Sequence, residues 1–266
     1  MTSRPLLFGV IDGYASEGGF DVPGGIGTCY APAIGLGRVA SPRDGDDLWN
    51  NYESIFSAAK AIGLDGVAVT VEWARVAPRY DTVDVAAWAR YREMLLAARD
   101  AGLAVSVTVV GEAWPAWLGQ EAWLLPWVED EFVVHAERLM TTLGDLIDSI
   151  RLFTRDLAAD GFLHGVIPPW RTRAREDARD ALLAIDRMCD RVASHPDVSS
   201  KLRRVKDVPA QLPDAVWSTV LARQNEFDEI HIATLLPGDG PTALDTYLLR
   251  RSETGYVGEL PAALRR

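Results

Sequence analysis

The chain has 266 residues, 48% hydrophobic and 24% charged, the size and composition of one folded domain with a substantial core. Its formal charge of -11, from 27 basic and 38 acidic residues, argues against a phosphate-backbone partner, so no nucleic acid is expected. Cys29 and Cys189 form neither a metal-ligand spacing nor a disulfide framework, no stretch has membrane-span length, and residues 1–8 lack the apolar core of a signal peptide. The expectation is a cytoplasmic protein without membrane contact, metal or cofactor.

In chain order, Leu6–Ile11 is an apolar run ending at Asp12-Gly13 and reads as a buried strand. A Gly/Pro-rich loop follows over residues 18–46. Asp47 is placed to cap a helix whose Leu48, Tyr52, Ile55, Phe56, Ala59 and Ile62 recur at helical spacing up to Gly63. Residues 66–71, apolar and β-branched, match a strand covered on both faces. The pattern repeats. A helix over 84–101 carries Trp88, Tyr91, Leu95 and Ala98 on one face, and residues 104–110 form a third strand. Pro126 opens a helix with Val128, Phe132, Ala136, Leu139 and Leu143 facing inward, residues 147–153 form a weaker fourth strand, and a long helix over 172–193 turns Ala181, Leu182, Ile185, Met188, Cys189 and Val192 inward.

Strands alternating with amphipathic helices predict a parallel sheet with helical crossovers, and a (β/α) barrel rather than an open sheet. The whole chain, 1–266, reads as a single domain: four β/α units over 1–194, then a shorter part over 195–266. That last part offers a strand at 229–233, a helix over 241–252 and short strands near 205–208 and 256–257. Only 72 residues remain after Ser194, too few for four more units of roughly 30 residues each. The spacing predicts a shortened or distorted TIM-type barrel with five to seven parallel strands. Its open edge would call for a loop, a helix or a second copy of the chain, as in a homodimer, to cover it.

In such a barrel the chemistry sits at the C-terminal ends of the strands. The first strand delivers Asp12, Tyr14 and Glu17, and the second Glu72, Trp73 and Arg75. The third delivers Glu112 and Trp114, and the fourth Thr154, Arg155 and Asp156. Carboxylates and arginines on one rim suit acid/base chemistry on a small polar substrate; alternatively they only solvate the loops, paired as Glu72–Arg75 and Arg155–Asp156. Trp114, Trp117, Trp123 and Trp127 crowd one segment, either to stack on a cyclic ligand or to seat the next helix. His135 sits beside an apolar stripe and reads as structural. His164 lies in a loop after the fourth strand, and His231 could point into the barrel. No histidine pair has metal-ligand spacing, and no nucleophile elbow or phosphate-binding glycine loop is present.

These residues resemble a known family. Phe8-Gly9-Val10 through Tyr14 and Glu17-Gly18 is similar to the first strand of the family-one glycoside hydrolases. Asp47–Tyr52, Gly63-Leu64 and the run Val71-Glu72-Trp73-Ala74-Arg75-Val76-Ala77-Pro78 resemble its second unit. Thr108, Pro115, Trp117-Leu118, Trp123, Phe132, Gly144-Asp145, Gly161-Phe162, Gly165 and Pro168 continue the resemblance in order, over about residues 7–190. It implies a (β/α) barrel and retaining β-glycoside hydrolysis by two carboxylates about 5–5.5 Å apart. The family's sugar-binding residues nevertheless fall at Ala15, Ala68 and Gly111, and its acid/base position falls at Arg155, which holds its proton at neutral pH. Glu253, in Ser252-Glu253-Thr254-Gly255, is a faint echo of the nucleophile motif, in a segment that otherwise reads as a helix end.

The reading is a glycosidase-like barrel repurposed as a cofactor-independent acid/base enzyme on a small polar or cyclic metabolite, in a setting such as specialised biosynthesis. Glu112, Glu72, Asp12 and Glu17 are the candidate acids and bases, and Gly111 is expected to open space beside Glu112. Tyr14, Trp73, Arg75, Trp114, Arg155, His164 and His231 are the candidate substrate-binding residues. Two alternatives stand beside it: a retaining β-glycosidase with relocated carboxylates, and a non-catalytic carbohydrate- or partner-binding pseudo-glycosidase.

Overall fold

The computed structural model describes residues 5–209, 222–233, 250–252 and 255–257. Strand β1 (Leu6–Ile11) leads through the short helix α1 (Gly13–Ser16) into the glycine-rich loop, which holds one further turn of helix, α2 (Ala31–Gly35). Helix α3 (Leu48–Ala61) returns the chain to β2 (Gly66–Thr70), which is buried at every residue, as its unbroken apolar run predicts. Asp47 does stand at the N-terminus of α3, but it does not cap the backbone. Its backbone is left-handed (φ 54°), and its carboxylate accepts instead from the side-chain amides of Asn50 and Asn51.

The rhythm continues through α4 (Trp73–Val76), α5 (Val85–Asp100), β3 (Ala104–Val110), α6 (Pro126–Leu143), β4 (Ser149–Phe153), α7 (Leu157–Phe162) and α8 (Arg175–Ala193). Trp88, Tyr91, Leu95 and Ala98 on α5 and Val128, Phe132, Ala136, Leu139 and Leu143 on α6 are buried, so the helical spacing located the core face. On α8 one expectation fails: Leu182 is 44% exposed, while Ala181, Ile185, Met188 and Val192 take the core positions. After α9 (Pro196–Ser199) come β5 (Val205–Pro209) and β6 (Glu229–Ala233), at the two places where short strands were expected. Arg250–Ser252, read from sequence as a helix end, is instead a strand, β7, paired antiparallel with β8 (Gly255–Val257). The remainder of that expected helix and Glu253 lie outside the described residues.

Six strands, all parallel, form one sheet in the order β4-β3-β2-β1-β6-β5. That order is a ring cut between β4 and β5, and the cut ends meet. Ile150 donates its N–H to the Lys201 carbonyl at 3.0 Å, making a single parallel bridge between Ile150 and Leu202. Beside it, Arg151 on β4 grips both carboxylate oxygens of Asp207 on β5, at 2.5 and 2.6 Å. The fold is therefore a curled, shortened TIM-type barrel of six strands, and the expected open edge is reduced to a seam. Among the described residues, no helix is long and apolar enough to cross a membrane.

Candidate active site

The C-terminal ends of β1, β2 and β3 bring Asp12, Glu17, Glu72 and Glu112 into one electrostatically linked cluster with Arg75 and Arg155. Local geometry explains the placement. Asp12 ends β1 and caps α1, accepting from the Ala15 N–H at 3.2 Å, so α1 turns Tyr14 and Glu17 back into the barrel. Glu72 follows β2 and accepts the Tyr14 N–H at 2.8 Å through Oε1. This close approach needs a glycine at position 13: a Cβ there would lie 2.5 Å from Glu72 Cγ and 2.9 Å from Glu17 Oε1.

The four carboxylates differ in their partners. Glu17 accepts from Arg75 Nε at 2.6 Å and from the Tyr91 hydroxyl at 2.7 Å, so the partner of Arg75 is Glu17 and not Glu72, as the sequence spacing suggested. Arg75 also donates to the Gly18 carbonyl and lies over the rings of Phe20 and Trp49, at 4.4 and 4.1 Å. Burial pushes Glu17 up to about 7, against the pull of Arg75. Glu72 is wholly enclosed, and its Oε2 has no hydrogen-bond partner. Burial, with the charges of Asp12 and Glu17, raises it well above the usual carboxylate range and so favours its protonated form. Asp12 is raised to about 6 by burial, opposed by the backbone N–H groups of Ala15 and Glu112.

Glu112 is the carboxylate of the four that reaches solvent, its side chain 22% exposed. Burial, then the charge of Asp12, lift it to about 7, and Arg155 works against the shift. Arg155 sits between two carboxylates, donating to Glu112 at 2.5 Å and to Asp160 at 2.6 Å. Asp156, the partner suggested by sequence, instead caps α7 through the Ala159 N–H. His164 is exposed and lies 3.3 Å from Asp160. Gly111 does not open the space expected beside Glu112: a Cβ there would meet Thr70 Cγ2 at 2.9 Å and Asp12 Oδ2 at 3.1 Å. Thr70 and Asp12 already fill that volume.

Several candidates for substrate binding turn inward. Trp114 is fully buried, donates to the Gly119 carbonyl at 2.7 Å and packs edge-on against Trp123, so it belongs to the core. Trp73 is buried and stacks on His135, 4.7 Å away and 3° from parallel. His135 is structural, bonded to the Val109 carbonyl and lowered to about 3 by burial. Tyr14 is buried too, stacked on Tyr30 and donating its hydroxyl to Asp21 at 2.9 Å. His231 lies in β6, in register with Phe8 midway along β1, so it sits below the rim. Its Nε2 is 2.7 Å from Glu229.

Four participants went unread in the sequence: Tyr91, Tyr30, Asp160 and Glu229. Tyr91 looked like one more residue of an apolar stripe, yet its hydroxyl donates to Glu17 and accepts the Glu72 N–H at 3.0 Å. Glu229 had a usable signal, since it stands two residues before His231 and therefore on the same face of a strand. Among the described residues, no group of three or more His, Cys, Asp or Glu could hold a metal ion, and both cysteines are free.

No family model matches the chain, and neither does any curated protein. Solved structures do. The chain is similar to the AHE enzyme from Alicyclobacillus herbarius, at 21% identity over 82% of this chain and 52% of that one, with a TM-score of 0.67. A rice β-glucosidase matches at 16% identity over 83% of this chain and 52% of that one (TM-score 0.67). An aphid myrosinase matches at 19% over 84% and 53% (TM-score 0.65). The chain thus spans about half the length of these structures. Its fold is that of the family-one β-glucosidase barrel, in shortened form.

Proposed function

We propose that this glycosidase-like scaffold serves as a cofactor-independent acid/base catalyst on a small polar or cyclic metabolite, with Glu112 as the working group. The observation that carries this reading is the position of Glu112: partly open to solvent at the barrel rim, next to the buried Asp12, and raised to about 7. A carboxyl that titrates near neutrality can both donate and accept a proton at working pH. The charge of Asp12 raises Glu112 and so favours the protonated form of Glu112. Arg155 is positioned to bind an anionic or carbonyl oxygen, and Glu72 and Glu17 act behind it as buried polar support. Isomerisation, elimination, cyclisation and hydrolysis all fit such a pair, and specialised biosynthesis remains the setting we favour.

A second reading, a barrel that binds without catalysing, is favoured by one observation: Arg155 is already satisfied by Glu112 and Asp160. Native mass spectrometry of the purified protein, followed by incubation of any retained small molecule with fresh enzyme, tests the proposal. Conversion that fails in Glu112→Gln is the expected result. Unchanged conversion in that variant, or retention without conversion, overturns it. Turnover of 4-nitrophenyl β-glycosides that depends on Glu112 would instead identify a glycosidase with relocated carboxylates.

A further inference from the structure

The tryptophans after β3 separate into two groups. Trp114 and Trp123 are fully buried, whereas Trp127 is exposed and Trp117 is half-buried, its indole N–H donated to the Ala77 carbonyl. Trp127 lies nearly parallel to Trp117, at 6.1 Å and 24°, and Tyr80 meets Trp117 edge-on at 5.6 Å. Tyr80 stays 63% exposed and Trp127 42%. Large rings left in water as a group mark a contact surface more often than chance placement does. We propose that this face is a carbohydrate-binding site, built from other residues than the acid/base cluster, on which a saccharide packs against Tyr80, Trp117 and Trp127.

Trp117 joins these rings to a hollow of about 80 Å³ between α4, the segment before α5, and α6. Arg79, Asp81, Glu131 and Arg138 line the hollow. None of their side chains has a hydrogen bond or an ion pair among the described residues, while Arg92, Arg99 and Arg187 nearby on α5 and α8 are each paired with a carboxylate. Two guanidinium groups and two carboxylates without partners among the described residues point to the ligand class. An anion would meet repulsion from Asp81 and Glu131, a cation would meet it from Arg79 and Arg138, and a hydrocarbon would strip water from all four. A sugar matches the set, because its hydroxyls both donate and accept and its ring offers an apolar C–H face to an indole. The site stands independently of the acid/base reading, since it shares no residue with Asp12, Glu112 or Arg155.

Isothermal titration with cellotetraose tests this, with sodium benzoate as the anionic control. Saturable binding of the tetrasaccharide is expected in the wild type and in Glu112→Gln, with at least about tenfold weaker binding in the double variant Tyr80→Ala/Trp127→Ala. Both substituted side chains are exposed, and an unchanged thermal midpoint confirms that the double variant folds. Absence of saturable cellotetraose binding, equal affinity in the double variant, or loss of binding in Glu112→Gln overturns the proposal. So does concentration-dependent self-association abolished by the double substitution, which would make this face a contact between copies of the chain.

Discussion

Arg155 and Glu112 are bonded at 2.5 Å across 43 residues of sequence, so the cation that follows β4 is held by a rim carboxylate that follows β3. Arg155 draws the pKa of Glu112 down, against burial and the charge of Asp12. Replacing it by methionine keeps the bulk and removes the charge. The Glu112 carboxyl should then titrate above its present value of about 7, and the pH at which activity or ligand binding changes should move upward with it. A carboxyl-carbon NMR titration of wild type and Arg155→Met reads this directly. A downward shift contradicts the assignment.

Arg75→Met should be among the most damaging substitutions in the chain. The side chains of Arg75 and Glu17 are 9% and 0% exposed, and losing the cation leaves a buried carboxyl without its charged partner. Breaking such a pair costs about 3–5 kcal/mol. Urea denaturation measures it, and Glu17→Gln/Arg75→Met should recover part of the loss by removing the ionisable group left without its partner.

Folded-state pKa values of about 6, 7 and 7 for Asp12, Glu17 and Glu112 set a pH dependence of stability. Unfolded carboxylates titrate near about 4, so the folded chain holds these protons more tightly. Unfolding therefore releases protons between about pH 4 and about pH 7, and stability falls across that window as pH rises. Surface carboxylates work in the opposite sense. Asp228, lowered to about 2 by its hydrogen bonds from Arg204, loses its contribution as pH drops below about 4. The thermal midpoint should thus peak near about pH 5 and be lower at pH 8, with a shallower decline in Glu72→Gln. A midpoint that climbs steadily from pH 5 to pH 8 rules this out.

Gly111→Ala should destabilise by about 1–3 kcal/mol, the usual cost of overpacking. The added methyl would lie 2.9 Å from Thr70 and 3.1 Å from Asp12. Calorimetry on Gly111→Ala alone and combined with Thr70→Ser checks the cause, because removing the Thr70 methyl should restore part of the loss.

What the sequence disclosed, and what it withheld, follows from the range of each interaction. The first four units were legible because β2 is an unbroken apolar run and burial in α5 repeats every three to four residues, and such patterns survive in a linear text. Strands β5 and β6 were expected as short strands, but nothing local announced that β6 would lie beside β1, or that Arg151 would meet Asp207. At the rim the cluster itself was legible from strand ends. Its pairings were not, because Arg75 chose Glu17 at 58 residues' distance over Glu72 three residues away. Trp114 and Trp127 look alike in sequence, yet one is fully buried and the other faces water. Only the path of the chain after β3 separates them.

The meeting of β4 and β5 gives the barrel the mechanics of a split ring. Among the described residues five strand pairs are continuous ladders, while β4 and β5 are joined by one ion pair, with one backbone bridge to Leu202 just before β5. A split ring opens at its gap, so thermal breathing, admission of a bulky molecule to the interior and the first step of unfolding should all begin there. Amide hydrogen exchange would display that hierarchy as early labelling along the outer sides of β4 and β5, while β1, β2 and β3 remain protected until the ring itself gives way.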